Sequence, residues 1–179
     1  MSRLLEPDRT ALLVIDVQEA FRKAVSDFDA VAGAAATLVR GFRVLDLPVV
    51  VSEQYPKGLG RTVPEVREAL GHDAPVLEKT VFAASQAEGF ELHGRRQALV
   101  CGIESHVCVN QTVHDLIAAG VEVHVARDAV SSRTTGNRDL GLHKMEGYGA
   151  IVTSVETALL ELVGRAGTDE FKRIQALIR

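Results

Sequence analysis

Ala98-Leu99-Val100-Cys101-Gly102-Ile103-Glu104-Ser105-His106-Val107-Cys108-Val109 reads as a buried strand that ends at Gly102, a short turn, and a helix that begins close to Ser105. The strand half is apolar on both faces, which suits a strand covered on both sides of a sheet. The same kind of run recurs at Ala11 to Ile15, Pro48 to Val51, Val76 to Leu77, Val121 to Ala126 and Ala150 to Val152. Between the runs lie helical stripes. Phe28, Val31, Ala32, Ala35, Leu38, Val39 and Phe42 make one apolar face, and Val109, Val113, Leu116 and Ile117 make another, with Gly120 as its stop. Val155, Ala158, Leu159, Leu162 and Val163 follow Ser154 as N-cap, and a last helix opens at Thr168-Asp169-Glu170 and buries Phe171, Ile174, Leu177 and Ile178. Glu53 to Pro64, rich in Gly and Pro, reads as a loop. Strands alternating with helices imply parallel pairing, right-handed crossovers and a three-layer α/β sandwich. Such sheets carry their sites beyond the carboxyl ends of the strands.

Three reactive residue types fall at those ends. Asp16 follows Leu13-Val14-Ile15, Lys79 follows Val76-Leu77-Glu78, and Cys108 lies in the first turn after the fourth run. Singly, Asp16 could be a turn residue, Lys79 a solvated strand-end lysine and Cys108 a small buried hydrophobe. Together they meet the needs of a thiol nucleophile: a proton acceptor, a compensating cation and a helix start that favours the anion. Cys101, inside the strand, suits an inert core position. His106 is a weaker candidate base than Asp16. No Cys-x-x-Cys motif supports a thiol redox pair of Cys101 and Cys108.

The 179 residues fit one domain with an ordinary core. A net charge of −4 and a pI near 5.9, with scattered Lys and Arg, give no case for nucleic acid. No apolar run approaches the length of a membrane span, and the N-terminal stretch lacks the apolar core of a signal peptide. These features point to a soluble, cytoplasmic protein.

Asp16-Val17-Gln18, Glu78-Lys79-Thr80 before Phe82, and Gly102 through Val109 resemble the isochorismatase-like cysteine hydrolases, a superfamily that includes nicotinamidases and N-carbamoylsarcosine amidohydrolases. Ser52 through Gly60 and Phe171-Lys172-Arg173-Ile174-Gln175 look closest to its isochorismatase-domain-containing branch. The resemblance spans essentially the whole chain, residues 1–179 as a single domain. It implies a six-stranded parallel sheet ordered 3-2-1-4-5-6 and a catalytic triad of Asp16, Lys79 and Cys108. It implies an oxyanion hole from the backbone N–H groups of Glu104 and Cys108, with a cis Ile103–Glu104 peptide, and a homo-oligomer. Gln18, Phe21, Tyr55 and Phe82 are expected to line the substrate pocket.

Two departures narrow the function. Metal-binding nicotinamidases carry an Asp-x-His pattern where this chain reads Ser52-Glu53-Gln54-Tyr55, and the only nearby histidine is His72, so neither metal nor other cofactor is expected. Siderophore isochorismatases lack the cysteine; its retention points to amide, carbamoyl or ester substrates. The alternative is an interaction protein that keeps the fold with weak or vestigial activity. For the thiol itself, Lys79 and Asp16 should largely cancel, leaving the helix start to contribute about 0.3–2 kcal/mol. Cys108 is therefore expected to titrate roughly one unit below the free value of about 8.5, and to be alkylated before Cys101.

Overall fold

The first apolar run becomes β1 (Thr10–Ile15), and every one of its residues is buried. Its alternate side chains explain why. In the computed structural model, which describes residues 4–179, Leu12 and Val14 enter the core on one face of the sheet and Leu13 and Ile15 the core on the other. Residues 1–3, the beginning of the stretch read above as lacking a signal peptide, lie outside the described residues.

Around β1 stand β2 (Val49–Gln54), β3 (Leu77–Lys79), β4 (Gln97–Ile103), β5 (Glu122–Ser131) and β6 (Ile151–Thr153). All five neighbouring pairs are parallel, and the order is β3-β2-β1-β4-β5-β6, as the resemblance implied. On one face pack α1 (Phe28–Val44), α3 (Pro64–Leu70), α6 (Val155–Val163) and α7 (Asp169–Leu177). On the other pack α4 (Asn110–Ala118) and α5 (Thr135–Tyr148). A short α2 (Pro56–Leu59) sits within the segment read as a loop, and β2 itself continues to Gln54. The capping expectations hold. Ser154 and Thr168 accept hydrogen bonds from the Thr157 and Phe171 N–H groups.

The sequence reading missed α3 and α5 and stopped β5 five residues short. α5 carries no apolar stripe and buries only Gly141 and Met145, so periodicity could not find it. In β5 the charged Arg127-Asp128 pair is exposed in mid-strand, and the strand resumes as buried Ala129-Val130-Ser131 behind a register shift against β4.

β4 and β1 approach most closely at Gly102. Its φ is 137°, and a Cβ there would lie 2.0 Å from the Ile15 carbonyl oxygen. No side chain fits, because the obstacle is backbone. Gly102→Ala should therefore lower the unfolding free energy by at least about 3 kcal/mol, measured by urea denaturation, and should move the end of β1 that carries Asp16.

Candidate active site

Asp16 leaves β1 in a left-handed conformation, φ 54°, a region that Asp tolerates better than most residues. Its N–H donates to the Ser52 carbonyl at 3.1 Å, so the turn remains tied to β2. The carboxylate is buried and answered on both oxygens. Ser52 Oγ donates to Oδ1 at 2.8 Å, and Lys79 Nζ donates to Oδ2 at 2.7 Å. Lys79 reaches it from the end of β3 with its side chain wholly buried. The same ammonium donates to Gln54 Oε1 at 2.7 Å and to the Phe82 carbonyl at 3.0 Å. The expected acid and cation are thus one buried ion pair spanning three strands.

Cys108 completes the group. β4 ends at Ile103, the Ile103–Glu104 peptide is cis, and Ser105–Val109 form one wide helical turn before α4. The Glu104 carbonyl accepts from Val107 N–H at 3.1 Å and Val109 N–H at 3.2 Å. Cys108 is 7% exposed, and its thiol lies within hydrogen-bonding reach of both Asp16 and Lys79. Cys101 packs in the core on the opposite face of the sheet. Both thiols are free, and a redox pair between them would have to cross that sheet.

The expectation of a thiol titrating below its free value is corrected. Burial pushes the Cys108 thiol up to about 12, the Asp16 carboxylate pushes the same way, and Lys79 opposes them. The helix start is a wide turn whose Ser105, Cys108 and Val109 are buried, and desolvation outweighs the dipole. Burial also raises the Asp16 carboxyl above its ordinary value, against the pull of Lys79 and Ser52. Cys101 is pushed up by burial as well. The resting thiol is protonated, with the Asp16 carboxyl beside it.

The four residues expected in the pocket divide. Tyr55 is half-exposed and, with Pro56, Lys57, Glu78, Lys79 and Thr80, lines a cavity of about 260 Å³. Phe82 is half-exposed next to it in sequence to the loop that holds Lys79. Gln18 is completely buried; its amide donates to the Gln54 and Gly60 carbonyls and accepts from Gln54 N–H, so it braces the wall. Phe21 packs against the α1-side core. Glu53, the one carboxylate in the Ser52–Tyr55 segment, is held by Thr62 and Arg61. Among the described residues no group of three or more His, Cys, Asp or Glu side chains could hold a metal ion.

The sequence reading missed Ser52 and Gln54, the β2 side chains that bind Asp16 and Lys79. A polar residue directly after Val49-Val50-Val51 was the available signal for Ser52. His106 takes no part in the ion pair. Its Nδ1 bonds Ser132 Oγ at 3.0 Å.

The isochorismatase domain matches residues 10–157. This chain belongs to the isochorismatase-domain family. It is 42% identical over 179 residues to isochorismatase domain-containing protein 1 of Salmo salar, covering 98% of this chain and 62% of that protein's length. It is also 42% identical to the secreted isochorismatase effector Isc1 of Phytophthora sojae, covering 100% of this chain and 88% of the relative. The structure of the MAR1 ribonuclease from Caenorhabditis elegans superposes with a TM-score of 0.91 at 39% identity, covering 98% of this chain and 92% of that one. The hydrolase fold of the isochorismatase family, with its sheet order, is therefore the fold of this chain.

Two outcomes follow from the buried triad of this family member. Lys79→Ala leaves the Asp16 carboxylate uncompensated and should cost about 3–5 kcal/mol of stability in urea denaturation. Iodoacetamide labelling of Cys108, followed by peptide mapping, should be slow at neutral pH and rise steadily as pH increases, because the thiolate appears only as pH climbs toward the raised value. Labelling that is already fast and level near neutral pH would contradict the buried-thiol reading.

Proposed function

We propose that this chain is a metal-independent cysteine hydrolase of a small amide, carbamoyl or ester compound. The observation that carries the reading is the Cys108 thiol set against the buried Asp16–Lys79 ion pair. A carboxylate with a raised pKa is a stronger base than a solvated one, and a protonated thiol needs such a base at the moment of attack. Sγ adds to the substrate carbonyl while its proton passes to Asp16. The carbonyl electron pair moves to oxygen, where the N–H groups of Glu104 and Cys108 would receive it. Lys79 compensates the negative charge that moves between thiol and carboxylate. Collapse of the adduct expels the leaving group, which takes the proton from Asp16 and leaves a thioester on Cys108. Water, deprotonated by Asp16, then adds to the thioester, and the acid product departs as the thiol is restored.

The cavity beside Tyr55 and Lys79 supports a compact substrate with an apolar part. The half-exposed Tyr55, Val81 and Phe82 next to it support a homo-oligomer that covers them. Two unpaired thiols suit a reducing compartment, so we place the chain in the cytoplasm, although the Phytophthora relative is described as secreted. No helix among the described residues is long and apolar enough to cross a membrane. The C. elegans relative is described as a ribonuclease. With 24 acidic against 20 basic residues this chain has no cationic excess for a phosphate backbone, and we do not extend that activity to it.

The test is a panel of small amides, carbamates and esters, run with the wild type and Cys108→Ala, and mass spectrometry of quenched reactions. The variant should lose at least about three orders of magnitude in kcat/KM, and an acyl mass should map to Cys108 in the wild type. Activity that survives Cys108→Ala would refute the nucleophile. Absence of any acyl mass on an active wild type would do the same. Activity should also fall as pH drops through the raised Asp16 value, since protonation removes the base, and chelators should leave it unchanged.

A further inference from the structure

Ser131-Ser132-Arg133, at and just beyond the end of β5, sends three consecutive side chains to three different anchors. Ser131 Oγ donates to Asp27 Oδ1 at 2.5 Å, next to the start of α1. Ser132 and Arg133 both reach the turn that carries Glu104 and Cys108. Ser132 Oγ accepts from Ser105 N–H at 3.1 Å, bonds Ser105 Oγ at 2.8 Å and bonds His106 Nδ1 at 3.0 Å. Arg133 Nε donates to Glu104 Oε1 at 2.6 Å and Nη2 to Oε2 at 3.3 Å, while the Arg133 N–H also donates to Oε1 at 3.3 Å.

The two ends of this brace differ in burial. The Glu104 side chain is 9% exposed, whereas Arg133 is 59% exposed. A carboxylate withdrawn from water and held by a guanidinium that water can reach is fixed for position, since the exposed end adds little stability of its own. Ser132 is itself buried, and its single hydroxyl serves three partners. On the far side of the turn α5 closes in: a Cβ on Gly141 would lie 2.6 Å from the Ser105 carbonyl carbon. The turn is thus gripped between the end of β5 and the backbone of α5.

We infer that Ser132 and Arg133 are positioning residues that hold the Glu104–Cys108 turn so that its backbone N–H groups meet the oxyanion. The inference rests on the cysteine-hydrolase reading. In that reading Asp16 and Lys79, at the ends of β1 and β3, act on the thiol, whereas Ser132 and Arg133, just beyond β5, fix the Glu104 end of the turn that carries the first oxyanion donor. The Asp16–Lys79 pair and the Glu104 donor therefore have separate supports, with Cys108 joining them, and the Glu104 donor can be displaced while the pair stays in place.

A small aldehyde tests this without knowledge of the substrate. With ¹³C-labelled acetaldehyde, Sγ bonds to the carbonyl carbon, the C=O electron pair moves to oxygen, and the thiol proton ends on that oxygen through Asp16. The hemithioacetal oxygen, although protonated, still accepts hydrogen bonds from the Glu104 and Cys108 N–H groups, whereas alkylation by iodoacetamide at its CH2 carbon places no oxygen there. Ser132→Ala and Arg133→Gln should each weaken the aldehyde adduct, followed by NMR, by about 10- to 100-fold. Their Cys108 alkylation rates should stay within about twofold of wild type, and Ser132→Thr, which keeps the hydroxyl, should restore the adduct. Arg133 is largely exposed, so its variant should remain folded, as circular dichroism will check. Equal losses in adduct and alkylation would make the brace merely structural and overturn the inference. Unchanged adduct affinity in Arg133→Gln and Ser132→Ala would overturn it as well. A wild type that forms no adduct dependent on Cys108 would instead sink the hydrolase reading on which it rests.

Discussion

A carboxylate and an ammonium taken out of water together impose the organising constraint on this fold. Each ion loses several kcal/mol of hydration, and only close pairing with further hydrogen bonds offsets the loss. Asp16 and Lys79 meet that demand at 2.7 Å, Ser52 and Gln54 supply further partners from the strand that lies between them, and the Phe82 carbonyl accepts from Lys79 as well. The arrangement requires β3-β2-β1 in that order, with their carboxyl ends level. Gly102 then lets β4 come close enough to β1 to set the Cys108 turn beside the pair. Change the order of these strands and the pair has no third and fourth partner.

Burial also decides the protonation of the site. At the helix start a thiol would gain a small dipole stabilisation, but Cys108 is enclosed, and enclosure acts more strongly on its anion than the dipole does. The same enclosure lifts Asp16. Thiol and carboxyl are therefore both displaced upward, and in the proposed mechanism the proton moves between them over a short path when a carbonyl is attacked. Lys79 serves both states of this exchange, because the pair it faces carries one negative charge whichever member holds the proton.

Much of this was legible in the chain. Runs apolar on both faces announced parallel buried strands, and a charged or thiol side chain at the end of such a run stood out against its context. Asp16, Lys79 and Cys108 were found in this way, and the resemblance supplied the strand order. What stayed hidden depends on contacts between distant segments. α5 is held by a bare backbone contact at Gly141 and by Met145, which leaves no periodic trace. Ser132 and Arg133 look like ordinary turn residues until the end of β5 is seen against the end of β4. The direction of the thiol shift failed for a related reason: a helix start can be read from sequence, but the depth at which it lies cannot.

The cation of the site stands on a short edge strand. β3 has three residues and pairs with β2 alone, at the rim of the sheet. Rim strands detach in local openings whose free energy is well below that of the whole fold. Each such opening would separate Lys79 from Asp16 and hydrate both while the central strands remain intact, and in the proposed mechanism it would halt proton transfer. If the proposed mechanism holds, the edge of the sheet sets the temperature of inactivation, and activity is lost before the core melts.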